Sequence, residues 1–173
     1  MKYLLGLVAL LVGLSGGNWF PDIDQKTGLL LHRSIVTHGP LVPLIVFAGA
    51  SGTRSTWLRW FALGVTLGVA VHLSFDLFPN GWSGFALISV PTYGWTAPWF
   101  SWTWITVSMV TCTYLGLRLA RNWLDGSLFM SSLIAAFGYI AVGEEPVWRP
   151  ALALAVVTTI SLAPFVRRLI STE

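Results

Sequence analysis

The chain has 173 residues, of which 55% are hydrophobic and only 10% charged, and its mean hydropathy is +0.72. A soluble domain of this length cannot bury so large a share of apolar side chains in one core, so composition excludes that class. The formal net charge of +3 comes from basic residues at the ends of apolar runs rather than in a patch. We therefore expect a lipid bilayer as the partner and no nucleic acid.

Six apolar runs have about the length that a helix needs to cross a hydrocarbon core of roughly 30 Å. They comprise residues 3–20, 34–50, 57–78, 99–120, 127–142 and 151–170. The sequence predicts an all-α fold, a polytopic bundle of about six transmembrane helices that forms a single integral membrane domain over residues 1–173. Lys2 and the small residues 15–17 also fit a signal peptide, and its cleavage would leave five helices.

The basic residues indicate a topology, because Lys and Arg are retained on the cytoplasmic side during insertion. With a cytoplasmic N-terminus, the inner ones are Lys2, Arg54, Arg59, Arg118, Arg121, Arg167 and Arg168, and the outer ones are Lys26, Arg33 and Arg149. We therefore predict a multi-pass protein of the inner (cell) membrane with both termini in the cytoplasm.

The densest polar stretch, residues 18–39, follows the first apolar run and faces outward in this topology. Pro21 ends the run, and Asp22 and Asp24 come directly after it. The ordinary explanation for two such acids is a solvated loop that caps the next helix.

The next polar residues open the second run. His32 and Arg33 can reach lipid headgroups, as long polar side chains at helix ends do. That explanation does not cover His38, which we place roughly 6 Å below the outer end of a helix over residues 34–50. Gly39 and the following Pro break or kink this helix, and irregular backbone at depth is typical of a hydrated cavity.

The third run carries His72 and Asp76 four residues apart, so both lie on one helix face. An intramembrane Asp costs roughly 3 kcal/mol, so it should face the bundle interior and have a partner. The ordinary alternative is a His–Asp hydrogen bond that holds the helix in place. Gly64 and Gly68 have the spacing that admits another helix closely.

Three other features lie near this outer side. The uncharged residues 79–98 are expected to form a lid on the membrane surface. Trp102 and Trp104 are interpreted as residues of the membrane interface. Glu144 and the next Glu form an outer turn whose acids could approach the site.

If the first three helices are neighbours, six ligand-type side chains meet at one outer rim. This six-residue cluster consists of Asp22, Asp24, His32, His38, His72 and Asp76. Imidazole and carboxylate together suit zinc, manganese or iron, and two bridged ions would support in-line attack of water on a phosphoester. The competing interpretation is a proton or ion path.

The same region resembles a known family. Its motifs are Pro21-Asp22-Ile23-Asp24, His32-Arg33-x-x-x-Thr37-His38 and His72-x-x-x-Asp76, which resemble those of the YdjM-like family. That family comprises bacterial inner-membrane proteins described as metal-dependent hydrolases, and the similarity lies within residues 18–85. Gln25-Lys26 stands where the family usually has His-Pro, which leaves the presence of a second metal open.

Residues and resemblance together predict a membrane-embedded, metal-dependent hydrolase in which the six-residue cluster binds a divalent metal. Arg33 and Asp76 are expected to take part in catalysis, with Arg33 holding a phosphate or carboxylate oxygen and an activated water as the nucleophile. A phosphoester or lipid-linked substrate is expected because the site opens at headgroup depth. The alternative is a small transporter or accessory subunit whose His and Asp residues carry protons or hold helices together.

Overall fold

The structure is a computed structural model and describes residues 2–27, 30–79, 86–142, 144–145 and 147–170. Its helices are α1 (Lys2–Trp19), α2 (Ile23–Thr27), α3 (Leu41–Ser51), α4 (Thr56–Asp76), α5 (Pro98–Leu119), α6 (Trp123–Ala141) and α7 (Trp148–Ile170), with a 3₁₀ turn (Phe20–Asp22) before α2. In the described part of the chain, the one sheet is a short hairpin of β1 (Ser89–Val90) and β2 (Gly94–Trp95). The prediction of an all-α fold is confirmed.

Among the described residues, four segments are long and apolar enough to cross a membrane, in agreement with a membrane protein. They are Tyr3–Lys26, Thr56–Asp76, Trp123–Ala141 and Trp148–Arg167. Helix α3 has only 11 residues and is therefore about 16 Å long, roughly half of a hydrocarbon core.

Helix α4 is the centre of the bundle, because α1, α3, α5, α6 and α7 all pack against it. The closest neighbour is α1, whose Gly13 and Gly17 lie against Gly64 and Gly68 of α4. A Cβ atom at any of these glycines would collide with backbone atoms of the other helix. The expectation that Gly64 and Gly68 admit another helix is therefore confirmed. The contacts of Gly17 lie further along α4 than those of Gly13, so α1 and α4 are parallel. Their C-terminal ends therefore lie side by side.

The predicted second helix, residues 34–50, is wrong in its first half. Residues 30–40 are irregular, and α3 follows them. Ser34 forms an isolated parallel bridge with Ser89, whose backbone exchanges hydrogen bonds of 2.8 and 2.9 Å with the residues on either side of Ser34. Arg33 has a φ of +57°, which turns the chain immediately before this bridge. Several backbone groups of this segment thus find partners within the protein, as non-helical backbone in a membrane protein requires.

The segment expected to form a lid, residues 79–98, falls partly outside the described residues, at 80–85. Its described remainder contains β1 and β2, and Ser89 joins it to residues 30–40. Segment 30–40 is therefore held between the hairpin and the helix bundle.

A buried ion pair lies at the N-terminal end of α4. Arg59 Nη1 is 3.2 Å from Asp125 Oδ2 and also donates to the carbonyl of Leu119. Trp60 Nε1 donates to Asp125 Oδ1 at 2.8 Å, and the backbone N–H of Arg121 donates to Oδ2 at 2.9 Å. Both carboxylate oxygens accept hydrogen bonds, so the start of α4 is fixed to the turn between α5 and α6.

Candidate metal centre

The structure brings all the predicted site residues together where α1 and α4 end. Asp22 lies in the 3₁₀ turn that follows α1, and Asp24 lies in α2. Segment 30–40 contributes two His residues and one Arg, and the last two turns of α4 contribute His72 and Asp76. The close α1–α4 contact positions these elements beside one another.

Four residues, Asp22, His38, His72 and Asp76, form the middle of this site, which we call the four-residue centre. One ligand-type atom each from Asp22, His38 and His72 lies within 4.8 Å of the other two. Asp76 Oδ2 is 3.4 Å from Nε2 of His38 and 3.4 Å from Nε2 of His72. His72 Nε2 is 3.9 Å from Asp22 Oδ1. Neighbouring ligand atoms in a tetrahedral site with bonds of about 2.0 Å are about 3.3 Å apart. The distances from Asp76 match that spacing, and the distance to Asp22 is wider.

The ring of His72 is oriented by the backbone of α1. Its Nδ1 is 2.9 Å from the carbonyl oxygen of Asn18. A carbonyl only accepts, so Nδ1 carries a proton and donates it. In the neutral imidazole, Nε2 then holds the lone pair, on the side of Asp76 and Asp22. Histidines that bind metals are usually held in this way, with the other ring nitrogen donating to a carbonyl or carboxylate.

His38 is fully buried and is oriented by neighbours in the same manner. The hydroxyl of Thr37 donates to Asp24 Oδ2 at 2.8 Å. Its oxygen therefore accepts from His38 Nδ1, which lies 3.1 Å away, with Asp24 Oδ2 at 3.4 Å. The lone pair of His38 is again on Nε2. In the described part of the chain, Nε2 of His38 and Oδ2 of Asp76 are buried without a hydrogen-bond partner. Such atoms are uncommon in folded proteins, and these two lie in the four-residue centre, where a ligand or a water molecule could reach them.

Asp24 lies behind His38 and outside the four-residue centre. Its Oδ2 accepts from the N–H of Ser34 at 2.8 Å and from Thr37, and its Oδ1 is 3.5 Å from Nδ1 of His32. One buried carboxylate therefore shapes segment 30–40 and contacts two imidazoles. His32 is 37% exposed and lies at the rim, with its ring centroid 5.9 Å from that of His38. Asp24 and His32, the other two members of the six-residue cluster, therefore lie next to the four-residue centre and not in it.

A cavity of about 790 Å³ opens beside the centre. Arg33 lines it and donates from Nε to Asp76 Oδ1 at 3.2 Å. His32 and Glu144 also line the cavity, so the expected approach of the outer-turn acid to the site holds for Glu144. A molecule from outside the protein can therefore reach the four-residue centre through this cavity.

The sequence pattern did not assign two residues of the site, Asn18 and Trp104. Asn18 acts through its backbone carbonyl, which no side-chain pattern can reveal. Trp104 was interpreted as a membrane-interface residue, but its Nε1 donates to the carbonyl of His38 at 2.8 Å and its ring packs against Gly39. Nothing in the spacing of the sequence connects residue 104 with residue 38.

No protein-family model matches this chain, and neither a curated protein nor a solved structure matches it. The fold and the site therefore define the class of protein by themselves. This class is an all-α protein whose described residues include four helices able to cross a membrane and a His–Asp cluster that could hold a metal ion.

Proposed function

We propose that this protein is a membrane-embedded, metal-dependent hydrolase that acts on a phosphoester or lipid-linked substrate. The observation that carries the proposal is the pair of buried, unpartnered atoms, His38 Nε2 and Asp76 Oδ2, which face each other at 3.4 Å. With Nε2 of His72 and a carboxylate oxygen of Asp22 they make a mixed nitrogen and oxygen donor set that suits zinc, manganese or iron. The motif resemblance to the YdjM-like family also supports this function.

A divalent ion held there supplies Lewis acidity to the phosphoryl group and to the attacking water. Hydrolysis forms one P–O bond to water and breaks the P–O bond to the leaving alcohol, which takes up a proton from the water. Arg33 lines the cavity and binds a phosphoryl oxygen, while its bond to Asp76 fixes the guanidinium. His32, with Nδ1 directed to Asp24, is placed to carry the proton.

The proposed location is the inner membrane, with a multi-pass chain, both termini in the cytoplasm and the site facing outward. Its support is the predominance of basic residues at the other end of the bundle, where seven of the ten Lys and Arg residues lie in the predicted topology.

A proton path is the alternative that the close His–Asp pairs also fit. A path across the bundle needs polar groups along its length. The buried residues of α4 that precede His72 are apolar as far back as Leu67, and Thr66 is the next buried polar residue along this helix. The polar groups of α4 near the site are thus gathered at one end, so α4 by itself supplies no continuous polar path across the bundle.

The test is elemental analysis of the detergent-purified protein, combined with hydrolysis of an aryl phosphate by the metal-loaded chain. We expect near-equimolar transition metal and activity that a chelator abolishes. The matched variant Arg33→Lys keeps the positive charge but loses the planar fork, so it should retain metal and lose activity. Protein that neither carries metal nor takes it up on titration would contradict the proposal.

A further inference from the structure

We propose that the cavity beside the four-residue centre binds an amphiphile, with a phosphoryl head at Arg33 and an alkyl chain lying between α1 and α6. The proposal rests on the proposed function, for which it specifies the substrate class. The bound head would lie at the end of the cavity where the ligand-type side chains are, and the chain would lie against the two helices.

The lining of the cavity combines a polar group of side chains with an apolar one. Asp22, Arg33 and His72 form the polar group, and the part of the cavity that they line is its polar end. Leu14 and Phe75 belong to its apolar lining. A small hydrophilic phosphoester would fill only the polar end and leave the apolar lining in contact with water, which is unfavourable. The volume of about 790 Å³ lies in the range of ligand pockets and has room for more than a phosphoryl group.

The apolar part lies between two helices that are each able to cross a membrane, α1 and α6. Small side chains line it on both sides, Ser15 from α1 and Ala135 from α6. Beside them the surfaces of these helices are apolar and exposed, with Leu11 at 60% and Ile134 at 68%. A chain that already lies among lipid tails can therefore enter the cavity from the side without crossing water.

Charge favours a phosphoryl head at the polar end. A bound divalent ion would be balanced by the carboxylates of Asp22 and Asp76, which leaves the guanidinium of Arg33 as a positive group facing the cavity. An Arg guanidinium matches phosphate oxygens in a two-point geometry. Glu144 also lines the cavity, from the turn after α6, and its carboxylate repels a phosphoryl group, so we place the head against Arg33 rather than against Glu144.

The test compares butylphosphonate with dodecylphosphonate, whose C–P bonds are not phosphoesters, on metal-loaded protein in lipid nanodiscs. Ala135→Phe places a ring in the proposed chain site. We expect it to weaken dodecylphosphonate binding by about tenfold or more and to leave butylphosphonate binding within about twofold. The neighbouring Ile134→Phe adds a similar ring outside the cavity lining and should leave both affinities unchanged. Because both variants share the same bilayer, partition of the long chain into lipid cancels in the comparison.

A second variant, Ser15→Phe, enters the same space from α1 and should reproduce the chain-selective loss. The proposal would be overturned if Ala135→Phe and Ser15→Phe bound dodecylphosphonate as tightly as the wild-type protein does. It would also be overturned if these variants kept their melting temperature but lost affinity equally for both phosphonates. A chain-selective loss in protein that hydrolyses no phosphoester would support the chain site and contradict the hydrolase. Hydrolysis of short and long phosphoesters alike, unaffected by Ala135→Phe, would support the hydrolase and overturn the chain site.

Discussion

His72 allows the metal-binding and structural roles to be separated with two substitutions that resemble different halves of imidazole. In His72→Asn, the side-chain amide lies near the position of Nδ1 and can still donate to the carbonyl of Asn18. It has no atom at the position of Nε2. In His72→Gln, the longer side chain places an amide near Nε2, but the hydrogen bond from Nδ1 is lost. A metal ligand and a helix tie therefore predict opposite orders of damage.

The two effects also differ in size. The hydrogen bond to the Asn18 carbonyl contributes a net of about 0.6 kcal/mol, by analogy with polar pairs between membrane helices. Loss of a group that merely orients a ligand weakens metal affinity by about 10–100-fold, and loss of the ligand atom itself should exceed this. We therefore expect His72→Asn to keep the metal-free melting temperature and to lose metal, while His72→Gln is slightly less stable and keeps part of its affinity.

The assay is thermal unfolding in detergent, with and without added zinc or manganese, together with elemental analysis. When the free metal concentration is 100 times the dissociation constant, binding stabilises the folded chain by about 2.7 kcal/mol. The wild-type protein should therefore show a clear rise in melting temperature. His72→Asn should show little rise under the same conditions. If His72→Asn keeps wild-type metal content and the same rise, Nε2 of His72 is not a ligand and the four-residue centre is wrong.

Three further outcomes follow from the structure. Gly68→Ala should lower the melting temperature and the metal affinity together, because its Cβ would lie 2.5 Å from a backbone oxygen of α1, whereas Gly49→Ala meets no atom within 4 Å and serves as the control. Asp24→Asn should weaken metal affinity by about 10–100-fold with metal still bound at saturation, which a titration would show; complete loss at saturation would make Asp24 a ligand. In intact cells, an impermeant thiol reagent should label a cysteine at position 25 and not one at position 53, and the reverse pattern would place the site in the cytoplasm.

The sequence located most of the long helices because a continuous apolar run of sufficient length has few alternatives in a membrane. Predicted runs 57–78 and 99–120 correspond closely to α4 and α5. The helix predicted over residues 34–50 is wrong in its first half because hydrogen bonds to distant parts of the chain compete with the helix there. The carboxylate of Asp24 takes the N–H of Ser34, and this arrangement is decided by a contact ten residues apart rather than by periodicity.

The residue types of the site were also predictable, because His and Asp are rare and costly in an apolar chain. Their division into a centre and a surrounding group was not. It depends on which nitrogen of each imidazole already has a partner, and those partners are the backbone of Asn18 and the hydroxyl of Thr37. Neither group carries a charge, and although Thr37 and His38 belong to one motif, the motif does not show which ring nitrogen of His38 the hydroxyl contacts. Only the folded arrangement shows that Asp24 contacts the far side of His38.

The energetic argument for a ligand in the centre is strongest at its buried end. Both carboxylate oxygens of Asp125, at the other end of α4, accept hydrogen bonds, although Nε of its partner Arg59 does not donate to any described residue. In the four-residue centre, Nε2 of His38 and Oδ2 of Asp76 both lack a hydrogen bond to any described residue, and they face each other at 3.4 Å. Each such atom costs about 1–3 kcal/mol. Structural metal binding contributes about 10 kcal/mol or more in small proteins, which is ample to offset both. A metal bound as proposed would therefore offset a cost that the centre would otherwise carry as a structural tie.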